Sequence, residues 1–140
     1  MTDEALPSVV ELKIPPKPEY VGVARLTILG VASRMHFSYD EVEDIRLAVG
    51  EACTTAVERA RKSSRSGSEI TIRSEIQDGK LTINVQDEAG PMPESQPVPE
   101  SPGELDEQGL GALLMELLVD EFSVEATPDG TLVHMVKYSG

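Results

Sequence analysis

Apolar positions recur at two different spacings along this chain, and the switches between them predict its elements. In "VVELKI" (Val9–Ile14), Val10, Leu12 and Ile14 alternate with other residues, the period-two pattern of a strand with one buried face. The following "PPKP" ends it, because proline has no N–H for continued pairing. From Glu19 to about Met35 the spacing becomes helical, with Ala24, Ile28, Val31, Ala32 and Met35 in one stripe. Arg25 lies off that stripe and is expected to be exposed. "SYDE" (Ser38–Glu41) has the Ser-x-x-Glu form of a capping box, after which Val42, Ile45, Val49, Ala52, Cys53, Ala56 and Ala60 predict a second helix. The other side of this helix carries Asp44, Ala48, Glu51, Thr55 and Arg59, and reads as its polar face.

Beyond the loop "RKSSRSGS" the period returns to two. Ile70, Ile72, Ser74 and Ile76, the turn "QDGK", and then Leu81, Ile83 and Val85 predict an antiparallel hairpin. Residues 88–108 are rich in Pro, Glu and Ser with almost no apolar anchors, and read as one long loop. "GLGALLMELLVDEF" starts with two glycines and continues as a helix through Leu110, Leu113, Leu114, Leu117 and Leu118. "FSVEA", the turn "TPDG" and "TLVHMVKY" predict a second hairpin. Strand, two helices, two strands, loop, helix and two strands together predict one α+β domain over residues 1–140. Its architecture is a two-layer sandwich, a mixed, mostly antiparallel sheet with helices on one face.

Composition narrows the function. A formal net charge of −13 argues against nucleic acid or an anionic membrane as the main partner, since both reward clustered Lys and Arg. No apolar run approaches the roughly 18 residues of a membrane span. Cys53 is the single cysteine, and the N-terminus lacks the basic start and apolar run of a secretion signal, so the cytoplasm is the expected compartment. His36 and His134 have no companions at metal-ligand spacing, which predicts no structural zinc. Cys53 falls on the apolar stripe and reads as a core residue.

Three elements are candidates for chemistry: Glu51 and Thr55 on the second helix, the strand end "VQDEAGP" (Val85–Pro91), and "GLG" (Gly109–Gly111) at a helix start. Glycines there let backbone approach a phosphate, and a helix N-terminus offers unpaired N–H groups. Taken singly, each has an ordinary structural reading, as a solvated helix residue, a turn aspartate or a tight helix entry. Their combination resembles the GHKL (Bergerat) nucleotide-binding fold of gyrase, histidine kinases and MutL. More narrowly, the chain resembles the anti-sigma factor serine-protein kinases of the RsbW and SpoIIAB type. The likeness is carried by "PEYVGVARLTILGVASRM" (Pro18–Met35), "YDEVED" (Tyr39–Asp44), "EACT" (Glu51–Thr54) and "GLGALLMELLVDE" (Gly109–Glu121).

The resemblance implies an anti-sigma regulatory factor that sequesters a sigma factor and uses ATP to phosphorylate a serine of a small anti-anti-sigma (STAS) antagonist. Glu51 then acts as general base or positions the attacking hydroxyl. Thr55 stands at the Mg²⁺ ligand position, Asp87 at the acceptor of the adenine amino group, Gly90 in the adjoining glycine motif, and Gly109, Leu110 and Gly111 along the phosphates. Residues 88–108 correspond to an ATP lid. Arg25 matches a partner-contact position, and the family's tendency implies a homodimer. Three positions depart from the motif: Thr55 replaces an asparagine, Ala89 a glycine, and Pro91 a second glycine. Residues 81–136 contain 12 Asp or Glu and no Lys or Arg, so the lid brings no cation to the phosphates. The alternative reading is a partner-binding module that keeps the fold without turning over Mg-ATP.

Overall fold

The computed structural model describes residues 7–63, 68–90 and 107–139. Among these residues the order is β1 (Ser8–Ile14), a 3-10 turn (Pro18–Tyr20), α1 (Val21–Ala32), α2 (Tyr39–Lys62), β2 (Ile70–Gln77), β3 (Lys80–Asp87), α3 (Glu107–Leu118), β4 (Glu121–Ala126) and β5 (Thr131–Tyr138). The strands form one sheet in the order β1-β2-β3-β5-β4. All four pairings are antiparallel, where the sequence reading allowed a mixed sheet.

Local chemistry explains most boundaries. Lys17 is extended (φ −129°, ψ 138°), the conformation imposed on a residue before proline. Pro18 therefore opens a tight turn and α1 starts at Val21, two residues later than the expected start at Glu19. Ser38 caps α2 as expected: its hydroxyl accepts from the Glu41 N–H at 3.1 Å, and the Glu41 carboxylate accepts from the Ser38 N–H at 2.8 Å. At the β2–β3 turn Gly79 has φ +70°, in the region glycine enters without steric cost. The register pairs Val10 with Ser74, Leu12 with Ile72 and Ile14 with Ile70; Ile14 is buried and Leu12 packs against the core, whereas Val10, expected on the buried face, is 38% exposed near the start of the strand.

The core lies between the sheet and α2, the central helix. Ile45, Val49, Ala52 and Cys53 of α2 meet Ile70, Ile72, Leu81, Ile83 and Val85 of the sheet. α1 and α3 both pack on α2, so its flanks are covered too, while Leu47 on the side away from the sheet is 46% exposed. Ala48 is buried, and so is Thr55, although both lie on the side of α2 that reads as polar. In α3 it is Gly111 and Met115 that turn inward, while Leu110, Leu113, Leu114 and Leu117 are exposed. The last turn of α3 is pinned by Lys137 of β5, whose Nζ donates to the Leu118 carbonyl at 3.0 Å and lies 3.7 Å from the Asp44 carboxylate.

Burial also settles the character of Cys53. Desolvation pushes its thiol up to about 12, against a smaller opposing pull from the Arg25 charge, so the thiol stays protonated at neutral pH. The expectation of a core residue is met.

Candidate active site

Helical spacing sets Glu51, Thr55 and Arg59 one turn apart along α2. Each meets a different neighbour. Glu51 is half-buried beneath the start of α3, so close that a Cβ added at Gly111 would lie 2.4 Å from its Oε1. The glycine is thus what lets α3 close over this carboxylate. Thr55, one turn on, is 6% exposed. Arg59 reaches the end of β3 and donates from Nη1 to Asp87 Oδ2 at 3.2 Å.

Asp87 is fully buried. Its second oxygen, Oδ1, accepts from the Ala89 N–H at 3.1 Å, forming the local turn after the strand. Gly90 has φ +103°, which an L side chain rarely adopts, and its N–H donates to the Asp129 carbonyl at 2.8 Å. The β4–β5 turn therefore folds back onto the end of β3. Gly130 in that turn lies directly against Asp87, with an added Cβ only 2.1 Å from the Asp87 carbonyl oxygen. Thr131, the β5 residue paired with Asp87 in the register, is buried, and its hydroxyl has no hydrogen-bond partner among the described residues.

The fold therefore brings Glu51, Thr55, Asp87, Gly90 and Gly111 into one region between α2, α3 and one end of the sheet. Gly109 is half-buried and Leu110 is 52% exposed in the first turn of α3. Of the loop 88–108 expected as a lid, residues 91–106 including Pro91 lie outside the described residues, and α3 already begins at Glu107. Arg25 is corrected: it is half-buried, not exposed, and its guanidinium lies across Gly50 of α2, where an added Cβ would be 2.5 Å from Nε. The absent side chain at Gly50 makes the groove that Arg25 fills.

A family model for the histidine kinase-like ATPase domain matches residues 14–137. A serine-protein kinase RsbW of Bacillus subtilis is 44% identical over 141 aligned positions, covering 92% of this chain and 84% of that protein. The chain belongs to the RsbW family of anti-sigma factor serine-protein kinases. An RsbW of Oceanobacillus iheyensis is 40% identical, with 92% of this chain and 85% of the relative covered. Among solved structures, the RsbU and RsbW domains of a Mycobacterium tuberculosis protein superpose with a TM-score of 0.70 at 17% identity, over 94% of this chain and 32% of that one. That likeness shows the α+β fold. No described helix is long and apolar enough to cross a membrane.

RsbW membership brings ATP and Mg²⁺ as reagents of the family in general. The residues around Asp87 are compatible with a nucleobase: a buried carboxylate acceptor, a buried hydroxyl on Thr131 without a partner among the described residues, and the side-chain-free surface of Gly130. The phosphate end fits in the closeness of Gly111 to Glu51. For the ion, no group of three or more His, Cys, Asp or Glu among the described residues could hold a metal. Magnesium commonly binds through one or two carboxylates plus substrate phosphates, and Glu51 with Thr55 is the donor set that this helix offers. Sequence reasoning did not assign Gly130, Thr131 or the reach of Arg59. The string "TPDGT" carried a signal for the first two, a turn glycine followed at once by a hydroxyl on an inward strand position, but only the register shows that both lie on Asp87.

Proposed function

We propose that this RsbW-family chain sequesters a sigma factor and uses ATP to phosphorylate a serine of a STAS-domain antagonist, which thereby loses its hold on the complex. The observation that carries the reading is the juxtaposition of Glu51 with Gly111. A half-buried carboxylate beside a glycine that the family likeness aligns with the phosphates supports a group that orients or deprotonates an attacking serine hydroxyl. Asp87 and Thr131 hold the base, and backbone N–H groups at the start of α3 face the phosphates. Bound Mg²⁺ would supply neutralisation of the transferring phosphoryl group, with Glu51 and Thr55 as the nearest donors on α2.

Mass spectrometry of the antagonist after incubation with Mg-ATP tests this. Phosphoserine is expected with the wild-type protein, and Glu51→Ala is expected to form it at least about 10²-fold more slowly. The burial of Thr55, a hydroxyl at the position of the family's asparagine ligand, favours the second reading, a sigma-binding module that holds no Mg-ATP. A protein that binds its sigma factor while ATP, with or without Mg²⁺, produces no calorimetric signal would establish that second reading in place of the first.

Partner contact through α1 follows from Arg25, held over Gly50 with its surroundings otherwise apolar: Val23 is 43% and Leu26 70% exposed. Arg25→Glu is expected to weaken sigma factor or antagonist binding about tenfold or more, because a reversed charge adds repulsion at an interface. Stability falls by no more than about 1 kcal/mol, since among the described residues no carboxylate pairs with Arg25. Unchanged affinity by surface plasmon resonance would take Arg25 off the partner surface. The homodimer expected of the family is part of the same proposal, and light scattering at micromolar concentration checks it.

A further inference from the structure

Asp87 is a carboxylate with 1% of its side chain exposed, and a charge so far from water needs both a counter-charge and hydrogen bonds. Here the two come from different elements. Ala89 N–H holds Oδ1 at 3.1 Å, and Arg59 holds Oδ2 at 3.2 Å from two helical turns beyond Glu51. Arg59 is itself only 21% exposed along its side chain, so the pair is shielded from solvent and poorly screened by salt. A carboxylate offers about four lone-pair sites, and these two bonds leave room for a further donor. Thr131, paired with Asp87 in the sheet, has a buried hydroxyl without a partner among the described residues, and Gly130 lies against Asp87, where an added Cβ would be 2.7 Å from Oδ1. What remains is a fixed anionic acceptor next to a hydroxyl able to donate or accept.

We propose that Arg59 is a positioning residue of the base site: it fixes Asp87 as an oriented acceptor and so sets the preference for a purine that presents an amino group there over one that presents a carbonyl. The inference rests on the nucleotide reading above and deepens it. An amino group donates to the free lone pair of Asp87. A carbonyl at the same place sets oxygen against oxygen, and a guanidinium already committed to Oδ2 does not turn to relieve it. Arg59 therefore acts through Asp87 and has no contact of its own with the reacting phosphates.

The test is calorimetric titration of ATP and ITP, which differ at that one group, into the full chain carrying Arg59→Met, Arg59→Gln or Arg59→Lys. Circular dichroism confirms folding. The wild type is expected to favour ATP about 10- to 100-fold, the range of a buried hydrogen bond to a charged group. In Arg59→Met the preference is expected to fall to within about threefold, and Arg59→Lys to recover most of it by returning the cation. If the methionine variant does not fold, Arg59→Gln decides, because it keeps a neutral donor of similar reach without the charge. A folded Met or Gln variant with the wild-type ATP to ITP ratio overturns the proposal, as does a lysine variant no better than methionine. A wild type that binds both nucleotides equally overturns this inference alone, whereas one that binds neither overturns the nucleotide reading and this inference with it.

Discussion

The Gly130→Ala protein is expected to unfold in urea with about 2–3 kcal/mol less stability than the wild type, although it gains only a methyl group. A Cβ at this position would stand 2.1 Å from the carbonyl oxygen of Asp87 and 2.8 Å from its carbonyl carbon. Both are backbone atoms of β3 within the ladder that pairs Asp87 with Thr131, so no rotamer change relieves the contact. Moving the turn instead stretches two bonds that hold it: Thr127 N–H to the Gly130 carbonyl at 2.9 Å, and Gly130 N–H to the Thr127 hydroxyl at 2.9 Å. The loss of chain entropy from the unfolded state returns only about 0.4–1 kcal/mol. Denaturant titration followed by circular dichroism should show a lower midpoint with an unchanged slope. A wild-type midpoint would mean that the turn does not lie on Asp87.

That contact marks where the chain's pattern stops being informative. The capping box at Ser38, the Asp-Gly turn at residues 78–79 and the core face of β1 were legible because each depends on residues within a few positions of one another. The depth of Thr55 was not legible on the polar side of α2, because α3, which packs on α2, comes from beyond residue 106, and helical spacing says which residues share a face but not what packs against it. Ala48, a small apolar residue on that face, was a hint. Arg25 was misread for a related reason: only Gly50 on the neighbouring helix makes room for it. The Arg59–Asp87 pair spans 28 residues and needs the position of β3 relative to α2, which no period encodes. Glu51, Asp87, Gly90 and Gly111 stood out as parts of three candidate elements, but only the family likeness suggested roles for them, since their types alone are ordinary. Period two likewise carries no strand direction, so the expected mixed sheet gives way to an entirely antiparallel one among the described strands.

Gly111→Ala adds the same methyl group as Gly130→Ala and is expected to have the opposite effect on the fold. Its Cβ would come 2.4 Å from Glu51 Oε1, but this is the far end of a flexible side chain, with Cγ and Cδ at 3.3 and 3.2 Å. The carboxylate swings aside and the helix stays, so stability should rise by about 0.5–1 kcal/mol, the ordinary gain of alanine over glycine inside a helix. Activity should fall. A displacement of about 1 Å from productive geometry costs on the order of 10²-fold in rate, so phosphorylation of the antagonist is expected to slow by about that factor in single-turnover assays. Backbone approach of phosphates to α3 offers a different cause for the same loss, and a double variant separates the two. If the methyl group acts by displacing Glu51, then in a Glu51→Ala background Gly111→Ala removes nothing further from the residual rate, because the two changes disable one unit. An additional loss of similar size in that background would show that Gly111 serves the phosphates directly, and that its closeness to Glu51 is incidental to the chemistry.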